Sequence, residues 1–275
     1  MRRSLPANLG IYALAAAVGL FSLFPFAWMV LTSLKSDTEI FTESPVFVPS
    51  DPTFSRYIEV LTGPFLQALW NSTVVAFFTT SLGVAVAILA GYSLARFALP
   101  LRRYLLVLVL SVQMFPVIAL IIPLFVVMRT LGLLDSYAGL VLAYLSFTAP
   151  LTVWMMRGFF QSIPPDLEDA AMIDGATRMG AFWRVVVPVA GPGIAATAIY
   201  AFILAWNEFL FALTFISDES MRTLPVALQS FIGRAQTDWG AIMAASVVFT
   251  LPVVIFFLFV QHRLTQGMVS GAVKE

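Results

Sequence analysis

Pro165-Asp166-Leu167-Glu168-Asp169-Ala170-Ala171-Met172-Ile173-Asp174-Gly175, followed thirteen residues later by Pro188, is an acidic stretch of small residues set between long apolar runs. Pro164 and Pro165 end whatever precedes them and start a helix, because proline in the first helical turn gives up a donor that had no partner anyway. Asp166, Glu168 and Asp169 then put negative charge where the helix dipole favours it. Ala171 and Gly175 lie four apart on one face, small enough for a partner backbone to come close, and Gly175 also ends the helix. A second helix is predicted over about 179–187, with Phe182 and Val186 at a spacing of four and a stop at Pro188. The small and apolar face, Phe182 included, has nothing within the loop to bury against. The pair is therefore expected to sit in water beside a membrane and to dock on a partner.

Composition supplies the membrane. Apolar residues make up 60% of the chain and charged residues 11%, and the mean hydropathy of +0.93 lies well beyond the balance of a soluble domain. Crossing a hydrocarbon layer of ~30 Å takes about 20 apolar residues as helix. Six runs qualify, at about 11–31, 68–95, 104–128, 137–156, 189–215 and 240–261. The fold class expected is all-α, a polytopic membrane protein forming a single transmembrane domain over 1–275. The acidic loop, about 164–188, falls between the fourth and fifth spans, and a tail covers 262–275. Arg2 and Arg3 ahead of the first run resemble a signal peptide, but the run continues far past the Ala13 to Ala17 cluster and reads as a retained anchor.

Basic residues orient the chain. With the N-terminus inside, the inner segments carry Arg2, Arg3, Arg96, Arg102, Arg103, Arg157, Arg178, Arg184, Arg263 and Lys274, and the outer ones Lys35, Arg56, Arg129, Arg222 and Arg234. Ten against five puts both termini and the acidic loop in the cytoplasm. Other classes drop out on composition. There is no cysteine and His262 is the one histidine, so neither a disulfide framework nor a zinc site is expected, and metal ligands are none. A formal net charge of zero gives no basic stripe for nucleic acid. No G-x-x-x-x-G-K-[ST] loop occurs, so the chain is not expected to be an enzyme or to cradle ATP itself.

Inside the spans, Pro25, Pro116, Pro123, Pro150 and Pro252 each remove a backbone donor and are expected to kink their helices. Glu208, beside Asn207 in the fifth run, is the polar outlier. A charge at mid-bilayer costs about 2.5–3.5 kcal/mol on insertion scales, so it should face protein or water. It reads either as a helix-packing pair or as part of a translocation path. Asn71, Gln113, Tyr144, Trp154 and Tyr200 join Asn207 and Glu208 as path candidates, since hydrogen-bonding and aromatic side chains in apolar runs can hold a polar solute. On the residues alone three classes stay open: a permease docked on a partner, an ion-coupled carrier, and a membrane scaffold.

Asp169-Ala170-Ala171, three residues, Gly175, nine residues, Val185, one residue, Val187-Pro188 resembles the E-A-A-x3-G-x9-I-x-L-P loop of ABC importer permeases, with Asp for Glu and two valines for Ile and Leu. Ile173-Asp174-Gly175-Ala176, Trp206-Asn207-Glu208-Phe209 and the ending Gly267-Met268-Val269-Ser270-Gly271-Ala272-Val273-Lys274 are similar to the carbohydrate-uptake, maltose-type subfamily. The resemblance implies the membrane subunit of an ATP-driven importer in the inner membrane of a prokaryote. Its expected partners are a second permease, two ATP-binding subunits that hold ATP and Mg²⁺, and an outer solute-binding protein. The cargo implied is a sugar, with a glycerol phosphate or polyol as the alternative. Glu168, Asp169, Ala170, Ala171, Asp174, Gly175, Phe182 and Pro188 would couple to the ATPase. Gly267, Gly271 and Lys274, in a tail too short to fold alone, would be ordered by contact with it.

Overall fold

In lipid a backbone must satisfy its own hydrogen bonds, and a chain of apolar runs does so as helix. The computed structural model describes residues 5–100, 102–232 and 237–271. Among them the only β-type pairing is an isolated bridge between Ile232 and Thr237. The helices, in chain order, are α1 (Leu5–Ser33), α2 (Asp37–Ile40), α3 (Ser55–Thr62), α4 (Pro64–Arg96), α5 (Arg102–Ser111), α6 (Val117–Thr130) and α7 (Tyr137–Ser162). There follow α8 (Asp166–Ile173), α9 (Arg178–Ala181), α10 (Val187–Val189), α11 (Gly191–Trp206), α12 (Leu210–Phe215), α13 (Leu224–Gln229) and α14 (Trp239–Gly271). Among the described residues, four (α1, α4, α7 and α14) are long and apolar enough to cross a bilayer, and the number rises to six if each of two bent pairs forms one span.

Those bent pairs correct the sequence reading. The third run, expected to be one helix, is cut: α5, extended by a 3₁₀ turn at Val112–Met114, meets α6 at 101°. Pro116 has no N–H to continue the helix, and its ring holds Phe115 in an extended conformation (φ −77°, ψ 132°). The fifth run, expected over 189–215, starts earlier as Arg178–Val189, turns through 71° at Ala190 ahead of Pro192, and stops at Trp206 before α12 resumes it. One further reading changes. The segment between α1 and α4 holds the short helices α2 and α3, and α14 stays helical through Gly271 where a flexible tail was expected, while Lys274 lies outside the described residues.

The chain divides into two compact units, 1–66 with 227–251 and 67–226 with 252–275. In the first, the nearly buried Arg56 guanidinium donates to the Lys35 carbonyl and to the Asp37 carboxylate at 2.5 Å. Asp238 lies 3.9 Å from the same guanidinium and accepts the Ala241 N–H at 2.8 Å, which caps α14. In the second, Ala87 and Tyr92 of α4 pack with Met156 and Phe160 of α7 and with Phe182 and Val186 beyond α9. The approach of α4 to α7 depends on Gly91. A Cβ there would stand 2.8 Å from the Met156 Cβ and 2.9 Å from the Arg157 backbone nitrogen. Backbone cannot swing aside as a side-chain tip can. Gly91→Ala should therefore destabilise the protein by about 1–3 kcal/mol, seen as a lower midpoint for thermal unfolding in detergent. An unchanged midpoint would mean that the helices separate freely at this point.

Candidate functional site

α8 starts directly after Pro165, its N-cap, and carries Asp166, Glu168 and Asp169 in its first turn, as the dipole favours. It ends on hydrogen bonds from Gly175 N–H to the Met172 carbonyl (3.1 Å) and from Ala176 N–H to the Ala171 carbonyl (3.0 Å). That pattern needs a left-handed residue after the helix, and Gly175 supplies it with φ 89°. No atom crowds the position a Cβ would take, so glycine is required there by conformation and not by close approach. Thr177 then caps α9 by accepting the Gly180 N–H at 3.1 Å. The second helix was expected to be regular, yet Phe182–Val186 forms a π turn. Pro188 explains it: proline clashes with the carbonyl four residues back, and a wider turn relieves the clash.

Two residues expected to face a partner face inward instead. Glu168 is 6% exposed. Its carboxylate accepts from the Arg96 guanidinium, at the end of α4, and from the Tyr92 hydroxyl at 2.7 Å. Arg96 also donates to the Ile163 carbonyl at 2.8 Å, so the pair is completed by hydrogen bonds on both sides. Phe182 is 2% exposed, packed against Tyr92 (ring centroids 4.4 Å apart) and Phe160 (6.4 Å). The loop thus binds to α4 and α7 through one ion pair and one aromatic wedge. Tyr92 and Arg96 were missed as site residues. Arg96 entered the sequence reading only as an inner-side charge, and a basic residue closing an apolar run beside a buried acid was the available signal.

Asp169, Ala170, Asp174, Gly175 and Pro188 are exposed and Ala171 is half-buried. Around them Leu167, Ile173 (86% exposed), Met179 and Trp183 present large apolar side chains to the outside.

Of the path candidates, the structure sets Tyr144 beside Glu208. Asn71 is buried, its amide donating to the Ser220 and Arg222 carbonyls at 2.8 Å each while its oxygen accepts from Tyr137 at 2.7 Å. Gln113 is exposed and donates to the Phe147 carbonyl at 2.8 Å. The Trp154 ring carries the Arg157 guanidinium at 5.1 Å, and Tyr200 is half-buried on α11. Asn207 donates back to the Ile203 carbonyl at 2.8 Å. Glu208 accepts the Phe211 and Ala212 N–H groups at 2.8 and 3.1 Å and thereby caps α12. The buried Tyr144 hydroxyl stands beside that carboxylate without closing a full hydrogen bond.

The helical layout, with an acidic loop between the fourth and fifth apolar stretches, has a close match among known proteins. Residues 83–270 fit the family described as binding-protein-dependent transport system inner membrane component. The chain belongs to that family of transport permeases. The permease is 42% identical over 92% of its length to the sulfoquinovosyl glycerol transport system permease of Agrobacterium fabrum, covering 89% of that protein. It is 39% identical to the trehalose transport system permease of Mycobacterium tuberculosis, over 92% of its own length and 93% of the relative. Against the diacetylchitobiose uptake system permease of Streptomyces coelicolor the identity is 34% over all of both chains. Among solved structures, a chain of a bacterial ABC transporter importing the acidic polysaccharide alginate superposes with a TM-score of 0.77 at 25% identity, over 95% of the permease and 99% of that chain.

Two outcomes follow for the permease. Arg96→Met leaves Glu168 buried without its cation and should cost about 3–5 kcal/mol of stability. The double variant Arg96→Met/Glu168→Met should lose less than the sum of the singles in a thermal-unfolding cycle, and strict additivity would deny the pair. Glu208→Gln keeps one acceptor oxygen for two N–H donors, so it should lower stability by about 1–2 kcal/mol while solute uptake per folded molecule holds. Unchanged stability with lost uptake would return Glu208 to the path.

Proposed function

We propose that this chain forms one half of the path of an ATP-driven sugar importer in the inner membrane of a prokaryote, as a single transmembrane domain with both termini in the cytoplasm. A second permease would complete the path, an outer binding protein would deliver the sugar, and two ATP-binding subunits would dock on the loop over 164–188. Three relatives named for trehalose, diacetylchitobiose and sulfoquinovosyl glycerol support a sugar as cargo. Trp206-Asn207-Glu208-Phe209 agrees with that reading.

The observation that carries the coupling reading is the exposed apolar set Leu167, Ile173, Met179 and Trp183 on a loop whose other side is fixed by Glu168 and Phe182. An apolar patch held rigidly outside lipid is a docking surface in want of its partner. ATP binding would then supply the differential affinity that moves the subunit between inward- and outward-facing states. Ile173→Ser removes apolar area without touching the fold. It should leave membrane levels normal, reduce co-purification of the ATP-binding subunits severalfold, and reduce uptake in proportion. Full co-purification and full uptake together would refute this docking surface.

A further inference from the structure

At the start of α5 and the end of α7, three guanidinium groups come together without an acid. Arg102, Arg103 and Arg157 line a cavity of about 510 Å³. Among the described residues none of the three has a carboxylate within ion-pair distance, whereas Arg56, Arg96 and Arg222 each do. The Gln161 side-chain oxygen, oriented to accept, takes N–H groups from both Arg102 and Arg157 at 3.1 Å. Two cations sharing one neutral oxygen still repel each other, and the amide brings no negative charge to offset them. The Arg157 Nε is buried with no acceptor at all. A buried charged donor left open is expensive, and arginine forks fit phosphate oxygens in pairs.

The rest of the cavity is not polar. Leu106 and Leu110 run down its wall along α5, and the Trp154 ring closes the side under Arg157. On the outside of the same helix Tyr104 and Leu108 are largely exposed. A basic ledge above an apolar trough matches a molecule with an anionic head and a hydrocarbon tail. A soluble phosphate would use the ledge and leave the trough empty.

We propose that Arg102, Arg103 and Arg157 hold the phosphodiester headgroup of an anionic phospholipid, with an acyl chain lying along Leu106 and Leu110. Assignment of this site to the cytoplasmic leaflet rests on the orientation proposed above, while binding itself does not. The lipid fills the angle between α5 and α7, beside the ion-paired end of α4, and ties the helix ahead of the Pro116 bend to the membrane surface.

The test is lipid retention by the full-length chain in its purified transporter, in neutral detergent, read by native mass spectrometry. Dioleoyl phosphatidylglycerol, dioleoyl phosphatidylcholine and inorganic phosphate are titrated as separate arms. Phosphatidylglycerol should be retained at concentrations at least tenfold below phosphatidylcholine. Each Arg→Gln change should weaken it about fivefold, as expected for one basic residue at a membrane surface. Because Arg103 is exposed, Arg103→Gln carries the result even if the triple variant fails to assemble. Arg157→Lys should fall between wild type and Arg157→Gln, since lysine keeps the charge and loses the fork. Equal retention of phosphatidylglycerol by wild type and Arg103→Gln overturns the site. Displacement of the lipid preference by millimolar phosphate, with phosphate itself retained, overturns the lipid assignment in favour of a soluble anion. Failure of the permease reading would appear separately, as absence of co-purifying ATP-binding subunits.

Discussion

The buried pair of Glu168 and Arg96, completed by Tyr92, is the contact on which the rest of the molecule turns. An ion pair in a low-dielectric site resists separation because each partner, pulled apart, becomes an uncompensated charge. It therefore acts as a stiff joint. Through it α8 cannot shift without carrying the end of α4 along. Phe182, wedged between Tyr92 and Phe160, forms a second joint to α7, and the helix that contains it runs on through the bend at Ala190 into α11. A push delivered to the outer face of the loop reaches three long helices at once.

Much of this frame was legible in the sequence. Apolar run length gave the helices, and Pro165 and Gly175 gave the limits of α8. What failed was any inference that required a distant partner. Phe182 and Val186 at a spacing of four read as an exposed face because nothing nearby in sequence could cover them. The residues that do, Tyr92 and Phe160, lie in other helices. Glu168 misled in the same way: in a first turn it looks like a dipole-stabilising surface acid, and only the fold brings Arg96 to it. Pro116 was read as a kink when it is a break, because a proline's effect depends on whether neighbouring helices hold the two halves in line.

The polar residues of the apolar runs carry a related lesson. Asn71, Gln113, Asn207 and Glu208 were all path candidates, and each is engaged by backbone groups in its own chain. Where water is scarce, a break in a helix leaves donors and acceptors that something must satisfy. Mending the backbone is the first use of such a side chain. The break over 207–209 was invisible in the sequence, so the need it creates was invisible too.

The π turn at Phe182–Val186 has a consequence for phase. An α-helix advances about 100° per residue, and a π turn inserts one residue beyond the α-helical register. The side chains that follow it directly, Val187 to Val189, are rotated by roughly that angle from where a regular helix would aim them, up to the 71° bend at Ala190. The phase at which the chain enters the bend at Ala190 is thus set upstream, by a single surplus residue lodged beside a proline.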